Sequence, residues 1–450
     1  MTGLVNPFGP SGPEGDRLLR DAQITGDLHH ARASTLLADA RWSRDVFELA
    51  GGPVGIAAGV EGRRETLDNE FAEAFTSGDV AGTSTDGQSL SGARTVTALF
   101  VETIMPLAKG FEVQLAARYD HYSDFGGTVN PKIALRWQPA RSIVLRGSWG
   151  TGFRAPPLPD LFTPIIHGTA DGIEDPLRCP VTQSDADCNG LVTELTGGNR
   201  SLKAETSTQI NAGVVLAPSN GFSLTLDYWR ITKSNVIGVL PEFTILSDYA
   251  RFAPGRVIRG PVDPANPELP GPIDSIVLVN ENLGSLRTSG VDVDVVWRSP
   301  ATMSGRFTFT LNGTYVIDWA QQLDGTTYTS GVGNVDVLGP IPRWKHHATL
   351  GWDYGAWAAT LGQTFQSGYR DAAGRAPEAP PRDVSSYELW DLQGRYSGWK
   401  NTTLIVGVKN LFDRAPPFTN QRSSFQVGYD PSYADPRGRA YYLQLELAFK

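Results

Sequence analysis

Positions of alternating character recur along almost the whole chain. At its end, Tyr441, Leu443, Leu445, Leu447 and Phe449 fall on one face of an extended segment, while Tyr442, Gln444, Glu446 and Ala448 fall on the other. A β-strand is the regular element that separates two such sets. The same split places Phe111, Val113, Leu115, Ala117 and Tyr119 opposite Glu112, Gln114, Arg118 and Asp120, and Ile133, Leu135 and Trp137 opposite Lys132, Ala134 and Arg136. It recurs with Leu145 and Trp149 against Arg146 and Ser148, with Val291, Val293, Val295 and Trp297 against Asp292 and Asp294, and with Phe307, Phe309, Leu311 and Tyr315 against Thr308, Thr310, Asn312 and Thr314. Turn residues separate these runs and define about fifteen strands. They lie near 27–49, 53–68, 92–105, 111–122, 127–138, 142–153, 204–217, 222–235, 284–299, 304–319, 343–354, 356–370, 386–398, 401–411 and 439–449.

Period two does not say which face meets water, since a soluble barrel with an apolar interior gives the same string. The connections do discriminate. Short turns at 51–53, 106–110, 139–141, 218–221, 300–305, 354–355 and 398–401 fall on one rim. The connections 69–91, 154–203, 236–283, 320–342, 371–385 and 412–438 on the other rim are long, and only 123–127 breaks the segregation. Outer-membrane barrels segregate their connections in this way, with short periplasmic turns and long extracellular loops. Phe111, Trp137, Phe222, Trp297, Phe307, Trp352, Trp357, Trp399 and Phe449 sit near the short turns or the chain end, where a headgroup girdle takes amphipathic rings. Strand-end aromatics packing into a soluble core are the plainer alternative. The expected fold is therefore all-β: an antiparallel transmembrane β-barrel sheet of about fifteen strands. Single-chain bacterial barrels use an even number, so the odd count predicts that the first part of the barrel is missing and that the sheet is not fully closed.

Composition agrees with strands and turns: 49 Gly, 31 Pro, 19 Phe, 14 Tyr and 11 Trp stand against 3 Met. An uninterrupted apolar run of about 18 residues, which a spanning helix needs, is absent from the sequence. With 39 basic and 48 acidic residues, a net charge of -9 and no Lys/Arg run to follow a phosphate backbone, nucleic acid is not an expected partner. The opening Met1 to Pro7 lacks the basic flank and apolar core of a secretory signal. Either the protein stays inside the cell or the sequence is not a whole gene product.

The stretch Asn130-Pro131-Lys132 running on to Trp137, followed by Gly150-Thr151-Gly152-Phe153-Arg154-Ala155-Pro156, resembles the barrel of TonB-dependent outer-membrane receptors. Gly290 to Asp294, the run Asn410-Leu411-Phe412-Asp413, the opening Asn6-Pro7-Phe8-Gly9-Pro10 and the aromatic-ending last strand add to the resemblance, which covers nearly all of residues 1–450. It implies a 22-stranded barrel closed by an N-terminal plug and energised by the TonB complex, taking up a bulky nutrient such as an iron chelate, vitamin or oligosaccharide. On that reading the chain is strands eight to twenty-two, a single partial barrel unit with no plug and no TonB box. Its partners would be outer-membrane lipid, a nutrient ligand at the extracellular loops, and the TonB complex only through a plug supplied elsewhere. Tyr441, Leu443, Leu445, Leu447 and Phe449 would form the insertion signal and face lipid; the family usually stops on the aromatic, and this chain adds Lys450.

Cys179 and Cys188 are the only cysteines, and a disulfide between them in an extracellular loop is expected, an oxidising exterior permitting it. A metal pair lacks a neighbouring His or further Cys, and two free thiols are the third option. His29-His30 and His346-His347 are adjacent pairs whose members point to opposite faces of a strand, so neither pair chelates one ion. His167 reads as a solvated loop residue. The glycine-rich run 147–152 leads to Phe153-Arg154-Ala155-Pro156-Pro157 rather than to a helix, which leaves nucleotide binding unsupported. No cofactor, metal or catalytic constellation is expected. Arg118, Asp120, Lys132, Arg136, Arg146, Asp292, Asp294 and Glu446 are expected to line the lumen. The alternatives are a passive porin-like channel of about sixteen strands and a soluble β-rich binding protein.

Overall fold

A computed structural model describes residues 4–6, 9–77, 88–322, 328–336, 339–371, 380–420 and 428–449. Pro7, Phe8 and Lys450 lie outside the described residues, as do parts of four of the long connections. The main sheet contains β1 (His29–Leu49), β2 (Gly52–Phe71), β3 (Leu90–Ala108), β4 (Phe111–Tyr122), β5 (Gly126–Ala140), β6 (Ile143–Arg154), β7 (Glu205–Ser219) and β8 (Phe222–Gly238). It continues through β9 (Glu281–Arg298), β10 (Arg306–Gln322), β11 (Trp344–Tyr354), β12 (Trp357–Gln366), β13 (Tyr387–Trp399), β14 (Thr402–Lys409) and β15 (Ala440–Leu447). Each strand pairs with its neighbour in this order, and the stub Thr329–Ser330 adds a sixteenth strand on β10. The alternation locates these strands to within a few residues. The largest departure is β12, which stops at Gln366 rather than 370, because Tyr369–Arg370 leaves the sheet to pair with Asp383–Val384.

Residues directly opposite in an antiparallel pair share a face, so the apolar sets of successive strands join into one band. Leu115 stands opposite Ile133, Ile133 opposite Trp149, and Trp149 opposite Ile210. Further along, Leu350 faces Leu361, Leu361 faces Leu392, and Val406 faces Leu443. This band is the exposed face: Tyr119 is 42% exposed whereas Asp120, its neighbour on the polar face, is 2% exposed. A soluble sheet would show the reverse, because its apolar face would be the covered one. The polar face, with its ion pairs, is the concave inner one, and the apolar face is the outer one. Among the described residues no ladder joins β1 to β15, so the sheet is open at both edges.

The alternation assigns no element to 154–203 or 236–283, and this is where the structure adds most. Ile166–Ile173, Gly190–Gly197, Ile273–Val279 and Val257–Arg259 form a second, four-stranded sheet. The strands at 190–197 and 273–279 are parallel and come from different connections, a non-local pairing that no local turn signal announces. A helix, Gly12–Asp21, precedes β1.

Candidate functional site

The connection between β6 and β7 and the connection between β8 and β9 fold into one unit on the long-loop rim. Its core is Val192, Leu240, Ile245, Ile276 and Leu278, with both connections contributing. Cys179 and Cys188 are disulfide-bonded with their Cα atoms 4.8 Å apart. Two arginines tie the connections together. Arg178, 4% exposed, donates from Nε to Asp187 Oδ1 at 2.8 Å and from Nη1 to the Pro270 carbonyl at 2.9 Å, and reaches Asp263 at 3.4 Å. Arg259 donates to both Asp175 carboxylate oxygens at 2.7 and 2.9 Å, to the Gly271 carbonyl at 2.7 Å, and to the Tyr249 hydroxyl at 2.8 Å. Buried cations need this degree of satisfaction. The Arg178 guanidinium, with the Thr182 and Ser184 hydroxyls, holds the Asp187 carboxyl below the ordinary aspartate range.

Below this unit the concave wall carries two ionic clusters. In the first, Glu61, Arg63 and Glu65 occupy alternate positions of β2, so strand geometry puts all three on one face. Arg63 donates to Glu61 at 2.6 Å, to Glu65 at 2.7 Å and to the Tyr122 hydroxyl at 2.7 Å. Arg94 on β3 donates to Glu65 at 2.6 Å and to the Pro156 carbonyl at 2.7 Å, and Arg118 on β4 pairs with Glu61 at 3.0 Å and with Asp120 at 2.9 Å. In the second cluster Arg146 makes two hydrogen bonds to Asp227, one at 2.8 Å, across β7 at Gly213. Asn211 donates to the Ser148 hydroxyl at 3.2 Å and Thr314 to Asp292 at 2.7 Å. Arg146, Ser148, Asn211, Asp227 and Asp292 border a recess that also includes Lys132 and Trp229. A second recess, on the loop unit, is lined by Asp171, Glu174, Glu242, Phe243 and Leu246.

A further cluster joins the later connections: Tyr369, Val384, Tyr387, Tyr433 and Ala434 are buried together. The Tyr433 hydroxyl donates to the Ser367 and Ser385 carbonyls, each at 3.1 Å, and burial pushes that hydroxyl's pKa up. Among the described residues no group of three or more His, Cys, Asp or Glu side chains stands close enough to hold a metal ion. His346 accepts from Trp344 Nε1 at 2.7 Å, while His347 contacts Thr364 at 3.0 Å.

Residues 5–411 match the family model described as TonB dependent receptor-like, beta-barrel. The chain belongs to the TonB-dependent receptor β-barrel family. It is 22% identical over 409 residues to the ferric enterobactin receptor PirA of Pseudomonas aeruginosa, covering 88% of this chain and 47% of that protein. A second protein of the same organism, named ferric enterobactin receptor, is 24% identical over 389 residues, covering 83% of this chain and 45% of the relative. The chain thus spans about half the length of the curated relatives it matches. In fold it resembles a variant of the ferric enterobactin receptor PfeA of Pseudomonas aeruginosa solved with enterobactin, with a TM-score of 0.67 and 19% identity over 93% of this chain and 55% of that one. It also resembles the siderophore receptor PirA of Acinetobacter baumannii, with a TM-score of 0.64 and 17% identity over the same shares. Receptors of this family are outer-membrane proteins, and the chain is an outer-membrane β-barrel sheet.

The residues on which the resemblance rests fall at several places along the wall. Asn130, Pro131 and Lys132 lie on β5, with Lys132 opposite Gly150 and the Thr151 hydroxyl 3.5 Å from Asn130 Oδ1. Gly152 continues β6, and the Phe153 ring meets Tyr122 edge-on at 5.7 Å. Arg154 forms two bonds to Glu205, at 2.8 and 2.6 Å, across the base of the loop unit, and Ala155 leads into Pro156, which is fully buried and held by Arg94. Asn410, in a left-handed conformation at φ 51°, ends β14, while its side chain donates to and accepts from the Arg414 backbone at 3.0 and 2.7 Å. The Leu411 amide bonds to the Trp390 carbonyl and the Phe412 ring meets Trp390 at 6.3 Å. Tyr441, Leu443, Leu445 and Leu447 extend the apolar band to the last edge, and Phe449 lies beyond the ladder. Sequence reading passed over Glu61, Arg63, Glu65, Arg94, Arg178 and Arg259. The alternate spacing of the first three was the available signal; Arg94 finds Glu65 29 residues away, Arg178 reaches Pro270 and Arg259 reaches Asp175 in the other loop, and such pairings leave no local pattern.

Proposed function

We propose that the chain forms the ligand-facing wall and extracellular loops of an outer-membrane receptor for a ferric chelate. The observation that carries this reading is the loop unit: two long connections are joined into one body by Arg178 and Arg259, each bonded from one connection to the other, and the first of the two is closed on itself by a disulfide, above a polar concave wall. The named relatives are ferric enterobactin receptors, which favours an iron chelate over a vitamin or oligosaccharide. Residues 1–450 act as one barrel unit in this proposal. Gating and energy coupling fall to a plug and the TonB complex acting through it, and Tyr441 to Phe449 serve as the insertion signal of the outer-membrane sheet. Arg94, Arg154 and Glu205 set the angle at which the 154–203 loop leaves the wall; Cys179 and Cys188 stiffen its outer part.

The test is uptake. Iron-starved bacteria stripped of their own catecholate receptors, and expressing the gene that encodes this chain, are given radioactive iron as ferric enterobactin. Accumulation that requires TonB is the expected result. Failure to take up iron from this or any other chelate, with the protein present in the outer membrane, would defeat the proposal.

A further inference from the structure

The outward-facing row of residues changes character at one level across four neighbouring strands. On β8 it climbs from the short-turn rim as Phe222, Leu224, Leu226 and Tyr228, and then becomes Arg230. Tyr228 stands opposite Val291 of β9, Val291 opposite Tyr315 of β10, and Tyr315 opposite Trp344 of β11. This level, with an aromatic ring on three of its four strands, is the upper edge of the apolar band, where amphipathic rings meet the headgroups.

Just above it stand three guanidinium groups. Arg230 lies opposite Ser289. Arg287, two residues beyond Ser289, occupies the diagonal position, on the order of 7–8 Å away. Arg343 precedes Trp344 and lies 6.0 Å from the centre of the Tyr315 ring, which fixes it on the outward side. Arg287 is partly neutralised by Asp318 at 2.8 Å and rests over the Tyr328 ring at 4.4 Å. Arg230 and Arg343 are exposed, and among the described residues neither forms an ion pair.

An unpaired arginine on the lipid side of a barrel is tolerated only near an interface, and there it meets headgroups. Guanidinium matches phosphate with two parallel hydrogen bonds, and basic groups at a membrane surface recruit anionic lipids. The rim concerned bears the long loops, so the leaflet is the outer one. Two unneutralised cations on either side of a tyrosine suit a headgroup with more than one phosphate. We propose that Arg230, Arg287 and Arg343 bind the phosphates of a multiply phosphorylated glycolipid in the outer leaflet, with Tyr228 and Tyr315 packed beneath its sugar.

The full chain in neutral detergent is titrated with diphosphoryl lipid A; the reporter of the site is the part of the fluorescence change that the Trp344→Phe variant loses, Trp344 being one of 11 Trp, and circular dichroism is the check on folding. Saturable binding is expected, weakened roughly tenfold or more in the Arg230→Ala/Arg343→Ala double variant by loss of two charge-assisted contacts. Arg136→Ala, on the concave face, should bind like the parent. The single Arg230→Gln change, which keeps size and polarity, should lose several-fold and serves if the double variant misfolds. Unchanged affinity in these variants, or equal binding of phosphatidylcholine, overturns the proposal. Equal binding of phosphatidylglycerol overturns the choice of a glycolipid, and competition by inorganic phosphate at matching concentration overturns the choice of a lipid.

Discussion

The pairing of Arg146 with Asp227 depends on what is missing between them. The two side chains meet across β7 at Gly213, and a Cβ built there would sit 1.9 Å from Asp227 Oδ1. Gly213→Ala should therefore displace Asp227 and break the pair. Overpacking of this kind costs about 1–3 kcal/mol, and the lumenal side should report the low end because water screens the charges there. Urea titration of the detergent-folded protein, compared with Gly394→Ala, where the same atom meets open space, would measure it. Arg178 is a harsher case, since its removal takes from Asp187 the guanidinium that bonds it at 2.8 Å and from the Pro270 carbonyl its donor; Arg178→Ala should loosen that unit, read as faster proteolysis of residues 155–204. Acid should act on the same pair. Asp187 titrates below its unfolded value, so its contribution is fully present above about pH 4 and fades as pH falls through the folded pKa. Protease sensitivity of residues 155–204 should therefore rise in the parent as pH falls below about 4, and rise much less in Asp187→Asn. Equal acid sensitivity in both would assign the effect elsewhere.

At the scale of elements, the sheet was legible because the bilayer enforces strict alternation. Leu115, Ala117 and Tyr119 face lipid while Gln114, Arg118 and Asp120 face the lumen, and a slip of one residue would reverse all of them. Segregated turn lengths then gave orientation. The loop unit was not legible, since Ile273–Val279 finds its parallel partner in Gly190–Gly197, across two sheet strands and a helical segment. Nor was the hold of Arg94 on Pro156, because a carbonyl partner leaves no mark on composition. The disulfide belongs to this scale too. With the cysteines nine residues apart, the chain-entropy model gives roughly 2.5–3 kcal/mol for the closure. The double Cys179→Ser/Cys188→Ser variant should lose about that from the loop unit, while the sheet keeps its urea midpoint. A common shift of both transitions would mean that loop unit and wall unfold as one.

For the whole molecule, direction matters more than strand count. β1 enters at the long-loop rim and ends at the turn into β2; β15 starts opposite Lys409 at that same rim and ends opposite Thr402. Both edges therefore run the same way, and joining them directly would make a parallel contact in an otherwise antiparallel sheet. An odd number of intervening antiparallel strands satisfies both edges; an even number leaves one parallel contact. Unpaired backbone groups at an edge cannot be hydrated inside a bilayer, so residues 1–450 on their own should be stable in detergent and fail to insert as a heat-modifiable, protease-resistant species in vesicles. Hydrogen exchange in detergent locates the cause. Amides of β1 and β15 that point away from β2 and β14 should exchange at least tenfold faster than those of β7 and β8, which are paired on both sides, about the factor that one lost hydrogen bond of roughly 1.5 kcal/mol allows. Equal protection at the two edges and the centre, in a monomer, would mean that β1 and β15 had found each other after all, and the open sheet would have to be given up.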